Sequence, residues 1–210
     1  MIAGTAYGVA LNDRRQLERM SAAFAEAPYR APPAAPVLYI KPRTSFGTGG
    51  APVPLPADLE QIEAAATVGL LFARDLTGAA PDEVRAAVGA ACLALDVSEP
   101  HDNYYRPAIR ERCRDGFLPL GRFAALPQDL GEIVTRIDGR EVHRWSLDRL
   151  VRPLEALCAE LSGFMTLRAG DLLLVGLPGD APRARRGQSI AVRAEGLPAL
   201  DTVVVAGDLS

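Results

Sequence analysis

The chain has 210 residues, 49% of them apolar, and a formal net charge of −3. That length and composition suit one ordinary globular domain over residues 1–210, and the acidic balance leaves no electrostatic footprint for nucleic acid. Three cysteines, Cys92, Cys113 and Cys158, have an odd count and no Cys-x-x-Cys spacing, which excludes a disulfide framework and a cysteine zinc site as organising features.

The start, Met1 to Asn12, has no basic n-region and meets Asp13, Arg14 and Arg15 before an apolar h-region can form, so no signal peptide is expected. No apolar run is long enough to span a bilayer, and with reduced cysteines the expected location is the cytoplasm, away from membranes. Thr5 to Leu11 reads as a short strand; Asn12 or Asp13 then caps a helix with Leu17, Met20 and Phe24 on one face, ending before Pro28. Residues 31–36 are too proline-rich for a regular element and lead into a β-rich run, Val37 to Lys41, stopped by Pro42. Gly47 to Gly50 lacks the lysine and the strand-loop-helix setting of a phosphate loop and reads as a turn. Pro52 to Pro56 reads as a rigid extended piece.

Ala65 to Phe72 predicts a strand buried on both faces. Pro81, with Asp82 and Glu83 at the positive end of the dipole, starts a helix expected to run through Val84, Val88 and Ala91. A second apolar strand, Cys92 to Leu95, is expected to end at Asp96, presenting that carboxylate at a strand end. From Asp96 to Gly121 the chain concentrates charge: Arg106, Arg110, Arg112 and Arg114 are interleaved with carboxylates and follow Tyr104 and Tyr105. Such a stretch is either a solvated loop or the wall of a polar pocket, because unpaired charges are not buried. Glu132 to Trp145 predicts a β-hairpin turning at Asp138-Gly139. Ser146 caps the next helix, which Pro153 restarts, Leu154, Leu157, Cys158 and Leu161 line, and Gly163 ends. Asp171–Val175, Ser189–Arg193 and Thr202–Ala206 read as strands separated by turns. The class is α+β, mainly β, with peripheral helices.

Several of these segments together resemble the fumarylacetoacetate hydrolase family: Tyr39-Ile-Lys-Pro42 before a Gly-rich loop, the strand running to Asp96, Leu167-Arg-Ala-Gly-Asp-Leu-Leu-Leu-Val-Gly176 with Pro178, and Arg186-Gly-Gln-Ser-Ile-Ala-Val-Arg-Ala-Glu-Gly-Leu197. Gly8 to Asn12 and Tyr104 to Gly116 are most similar to a subgroup that isomerises and decarboxylates oxo-acids in bacterial aromatic-acid breakdown, and there to the first of its two related halves. The resemblance implies a mixed β-sandwich or roll, a small di- or tricarboxylate substrate, and a homodimer or a heterodimer with a related, metal-competent family subunit. It also implies magnesium or manganese held by a Glu-x-Glu pair and a later aspartate, acting as a Lewis acid on an oxo-acid.

Transferred to this chain, the Glu-x-Glu positions fall on Ala65 and Thr67, leaving Asp96 as the one retained ligand position. Glu63 would substitute only if the strand register slipped. The family's helix histidine falls on Gln16, an active-site lysine on Arg112, and the threonine of a late Gly-Thr-Pro turn on Leu177. No metal or other cofactor is therefore expected in this chain itself, though a partner subunit could carry one. Lys41, Arg43, Arg106 and Arg112 form a candidate cationic pocket for carboxylates, with Asp96 beside them. The alternative for these cations is ion pairing with Glu99, Asp102, Glu111 and Asp115 that merely holds loops together. His143 is expected on the hairpin surface, facing solvent or covering apolar surface. His101 lies in the charged stretch, Cys113 has either an activated or an inert thiol, and Trp145 belongs in the core or an interface.

Overall fold

The computed structural model describes residues 2–101 and 103–207. In chain order the strands are β1 (Ala6–Ala10), β2 (Val37–Lys41), β3 (Phe46–Thr48), β4 (Val53–Leu55), β5 (Ile62–Phe72), β6 (Val88–Ser98) and β7 (Leu118–Leu120), then β8 (Glu132–Ile137), β9 (Arg140–Ser146), β10 (Leu172–Leu174), β11 (Arg183–Ala184), β12 (Ser189–Ala194) and β13 (Leu197–Ala206). They form two sheets. The larger has the order β2-β1-β10-β5-β6-β7-β3, with β11 also pairing β5; the smaller has the order β4-β13-β12-β8-β9. Most neighbours are antiparallel, whereas β1·β10, β3·β7 and β4·β13 are parallel. The helices are short: α1 (Arg14–Arg19), α2 (Ser21–Phe24), α3 (Val84–Ala87), α4 (Ile109–Arg112) and α5 (Leu154–Ser162). The expected α+β, mainly β architecture is the one observed.

The two longest strands, β5 and β6, are each eleven residues and pair along their whole length. Both are buried on both faces, which is why they read as nearly continuous apolar runs. Alternation then divides their side chains. Ala64, Ala66, Val68, Leu93, Leu95 and Val97 face the main core with Ile133, Trp145, Ile190 and Val204 of the smaller sheet. On the opposite face, Cys92 and Ala94 pack with Leu118, Leu120, Leu172 and Leu174. Asp96 continues the second set, so its carboxylate points away from the main core.

Three expectations are corrected. The helix begun at Pro81 ends at Ala87, because Val88 is already extended and pairs with Phe72. Its neighbour Gly89 passes so close to Ala73 that a Cβ would lie 2.6 Å from that methyl. The strand after it does not stop at Asp96: pairing of Ala65 with Asp96 and of Glu63 with Ser98 carries β6 two residues further. Backbone pairing with an equally long partner outweighs the polarity of the side chain. Lastly, Pro52–Pro56 is not merely a connector, since Val53–Leu55 pairs with β13; as an outer strand, β4 tolerates Pro54, which has no N–H to donate.

The hairpin forms as read, with φ of 50° at Asp138 and 77° at Gly139, as its turn requires. Asp138 further accepts from the Ser189 N–H at 2.9 Å and fastens the tip to β12. Trp145 is in the core, and its Nε1 donates to the Ala66 carbonyl at 2.9 Å, joining the two sheets. Among the described residues no helix is long and apolar enough to cross a membrane.

The Trp145→Ala protein is expected to lose about 3–5 kcal/mol of stability, since a large buried side chain and an inter-sheet hydrogen bond go together. Urea denaturation checks this: the midpoint should fall steeply while the slope stays near that of the parent.

Candidate functional site

The site is assembled from the end of β2, the end of β6 and the segment that follows it. Tyr39 and Lys41 alternate on β2 and so share a face. Opposite Tyr39 on β1 stands Gly8, and a Cβ there would lie 2.1 Å from the Tyr39 ring, so only glycine lets the phenol fold across β1. The ring reaches Asp96 on β6, and the Tyr39 hydroxyl donates to Asp96 Oδ2. In a flat sheet β2 and β6, four strand spacings apart in the hydrogen-bonded order, would be separated by about 19 Å. Tyr39 and Lys41 span the gap because the sheet curls and brings the two strand ends together.

Lys41 is 1% exposed, and its ammonium sits 2.8 Å from Asp96 Oδ1. It also donates to the carbonyls of Val97 at 2.9 Å, Arg112 at 2.6 Å and Phe117 at 3.0 Å. Three N–H bonds thus meet four acceptors, and Lys41 has nothing left to offer a ligand. Arg112, the last residue of α4, brings Nη1 to 3.3 Å from the same Asp96 oxygen and lays its guanidinium over the Tyr39 ring, 5.0 Å from the centroid. Burial pushes the Lys41 ammonium below its ordinary pKa, with Asp96 opposing that shift. Burial also holds the Tyr39 phenol well above its ordinary range, reinforced by the Asp96 charge, so Tyr39 remains a donor.

Asp96 itself is fully buried, and both its oxygens are engaged by these three side chains. Across β5 stands Ala65, directly opposite Asp96, and Thr67, whose Oγ1 donates to the Gly176 carbonyl at 2.5 Å. Glu63 pairs with Ser98 in the ladder, so the register slip that would bring it to the Asp96 level does not occur. Its carboxylate lies 3.5 Å from Arg183, and burial raises its pKa against the pull of that arginine. These residues do not fit a magnesium or manganese ion. A hard cation needs several oxygen donors, and here one carboxylate stands alone with its oxygens already taken by protein cations and a phenol. Among the described residues no group of three or more His, Cys, Asp or Glu side chains could hold a metal.

Beside this cluster lies a small cavity of about 20 Å³, bordered by Gln16, Glu63, Ala65, Tyr104, Arg112 and Leu177. It has room for one water-sized molecule. Asp13 fixes its outer wall: it caps α1 through the Arg15 N–H, accepts from the Gly179 N–H at 2.9 Å and pairs with Arg149. Arg149 also meets Asp180 at 2.8 Å, which in turn contacts His143 Nε2 at 3.0 Å.

Of the sequence-derived candidates, Lys41, Asp96 and Arg112 are brought together, while Arg43 and Arg106 are exposed. Arg106 borders a separate outer cleft together with Arg112. Glu99 does serve as an ion-pair partner, but of Arg114 and Arg110, and Asp58 shares the same two arginines. Among the described residues Glu99, Glu111 and Asp115 form no ion pair with Lys41, Arg43, Arg106 or Arg112; Asp102 lies outside the described residues. His143 does not face solvent: its side chain is 9% exposed and engaged with Asp180. His101 stacks edge-on against Tyr104. Burial raises the Cys113 thiol pKa, and its Sγ donates to the Ile40 carbonyl at 3.4 Å. Tyr39 and Tyr104 are not singled out as site residues by the sequence; the alternation of Tyr39 with Lys41 on one strand is the signal that finds the first.

The profile of the family described as fumarylacetoacetate (FAA) hydrolase C-terminal matches residues 5–205. The 4-hydroxyphenylacetate degradation bifunctional isomerase/decarboxylase of Salmonella dublin is 40% identical over 98% of this chain and 48% of that protein. Its Escherichia coli counterpart is 39% identical over 96% of this chain and 47% of its own length. The chain therefore spans about half the length of these relatives. Among solved structures, 5-carboxymethyl-2-hydroxymuconate delta-isomerase from Mycobacterium smegmatis superposes with a TM-score of 0.82 at 22% identity, covering 98% of this chain and 78% of that one, which shows a shared fold.

Two outcomes test the buried cluster. Asp96→Ala leaves two cations buried without a counterion, and a loss of about 3–5 kcal/mol is expected, read as a lowered denaturation midpoint. The second is a pH effect. The raised Tyr39 pKa contributes stability that is present below about pH 10, the unfolded value, and lost as pH rises through the folded value. Lys41, shifted downward, has the opposite sign below about pH 10.4, but is common to parent and variant. Tyr39→Phe should thus flatten the decline of stability above pH 10, and its ultraviolet titration should lack the slowest-ionising phenol.

Proposed function

The chain belongs to the fumarylacetoacetate hydrolase family, and from that premise we propose that it is a subunit of a 4-hydroxyphenylacetate (homoprotocatechuate) catabolic isomerase/decarboxylase whose own metal site is degenerate. The observation that carries the reading is the state of Asp96. The one carboxylate at the three family ligand positions is neutralised by Lys41 and Arg112 and hydrogen-bonded by Tyr39. The adjoining cavity, at about 20 Å³, is too small for any di- or tricarboxylate.

The subunit assignment is supported by the 39–40% identity that spans nearly all of this chain and about half of each longer relative. In this reading the chain plays the part of the first half of those proteins. It associates in the cytoplasm with a related, metal-competent family subunit, and the decarboxylation of 5-oxopent-3-ene-1,2,5-tricarboxylate and isomerisation of 2-hydroxyhepta-2,4-diene-1,7-dioate take place in that partner. A metal-independent tautomerase is the weaker alternative, because Lys41 has no free donor and the cavity has no room for an oxo-acid.

The purified chain is expected to give no turnover of the oxo-tricarboxylate and no stoichiometric uptake of magnesium or manganese. Mixed with a metal-competent family subunit it should give turnover that vanishes when that subunit's metal carboxylates are replaced. Turnover by the isolated chain, or activity surviving the replacement, would overturn the assignment.

A further inference from the structure

A second space lies on the other side of Arg112. It is a cleft of about 380 Å³ between the outer edge of β2 and residues 103–113, within the size range of small-molecule sites. Leu38, Ile40, Pro107 and Ile109 supply apolar walls, and the rings of Tyr104 and Tyr105 stand among them. Ile40, Tyr105 and Ile109 are 54%, 58% and 60% exposed, so three of the five exposed large apolar side chains among the described residues gather at this one place. Scattered apolar residues on a surface mean little, but a cluster around a concavity marks a binding site.

The charge around the cleft is unbalanced. Lys41 and Arg112 share the single carboxylate of Asp96, and Glu63 is matched by Arg183. Counting Lys41, Arg112 and Arg183 against Asp96 and Glu63, which is drawn to Arg112 as well as to Arg183, these described side chains hold one positive charge more than they have carboxylates. Arg112, 6% exposed, borders the cleft at its buried end; Arg106 stands exposed at the mouth, and among the described residues no carboxylate pairs with it. A guanidinium at the end of an apolar cleft, with five N–H donors in a planar fork, matches a carboxylate.

We propose that this cleft binds an amphipathic monocarboxylate: one carboxylate directed at Arg112, an aromatic or branched apolar body held between Tyr104, Tyr105 and Ile109, and Arg106 adding positive charge at the mouth. A polycarboxylate is the wrong class for it, because its further charges would lie against the apolar walls without partners. The cleft shares Ala10, Tyr104 and Arg112 with the small cavity beside Ala65 but opens on the β2 edge, and binding there does not depend on where turnover occurs.

Calorimetric titration of the full chain with 3-phenylpropionate, its neutral amide 3-phenylpropionamide, and propane-1,2,3-tricarboxylate tests the class. One equivalent of 3-phenylpropionate should bind, with the amide at least about ten-fold weaker, the difference of one charge-assisted hydrogen bond. The tricarboxylate should give no heat of binding. Ile109→Asp, at an exposed position that leaves the core intact, should weaken 3-phenylpropionate by about ten-fold or more, and Arg106→Ala by a few-fold, with thermal midpoints near the parent's. Equal binding of acid and amide, or an unchanged affinity in Ile109→Asp, would overturn the proposal. It would likewise fail if 3-phenylpropionate did not bind while sedimentation showed a dimer that Ile109→Asp dissociates, since the cleft would then be a contact between copies of the chain.

Discussion

An ammonium group almost wholly removed from water holds the molecule's most irregular region in place. Lys41 ends β2, the outer strand of the larger sheet, yet its four acceptors belong to Asp96 and Val97 on β6, to Arg112 at the end of α4 and to Phe117 just before β7. Desolvating a charge costs several kcal/mol and is tolerated only where every donor is met. The curl of the sheet, the path of residues 97–117 and the seating of α4 are therefore parts of one arrangement. Were two or more of these acceptors to move away, the lysine would be left buried with an unmet donor.

The same arrangement decides what Asp96 can do. Its position opposite Ala65, with Thr67 two residues along β5, is where the family places three acidic ligands around an external cation. Here the counter-charge comes from the protein itself, from Lys41 and Arg112, and the space beside it, bordered by Gln16, Leu177 and Tyr104, amounts to about 20 Å³. A lone buried aspartate is stable only when paired, and Lys41 and Arg112 pair this one opposite Ala65. Asp13 does comparable work on the outer wall, where one buried carboxylate joins α1, Gly179 and Arg149. Arg112 stands between a small cavity and a larger, apolar cleft and borders both.

Local patterning was enough for the class, for the strands β1, β2, β5 and β12, for the hairpin turning at Asp138-Gly139, and for the apolar face of α5. Each depends on periodicity or on a turn residue with a special backbone angle, and those are properties of a few neighbouring residues. The family resemblance and the replacement of its acids at Ala65 and Thr67 were equally legible. Tertiary structure alone decided that β6 begins at Val88 and runs past Asp96, because strand length is set by pairing with β5 rather than by local preference. It also decided which charges of the stretch from Asp96 to Gly121 are buried. Arg110, Arg112 and Arg114 look alike in sequence, but only Arg112 meets Asp96, while the other two turn to Glu99 and Asp58. Pairing of like-sized charges is a matter of which carboxylate comes within a few ångströms in three dimensions, and the curl that brings β2 to β6 is a long-range consequence that no short window of residues encodes.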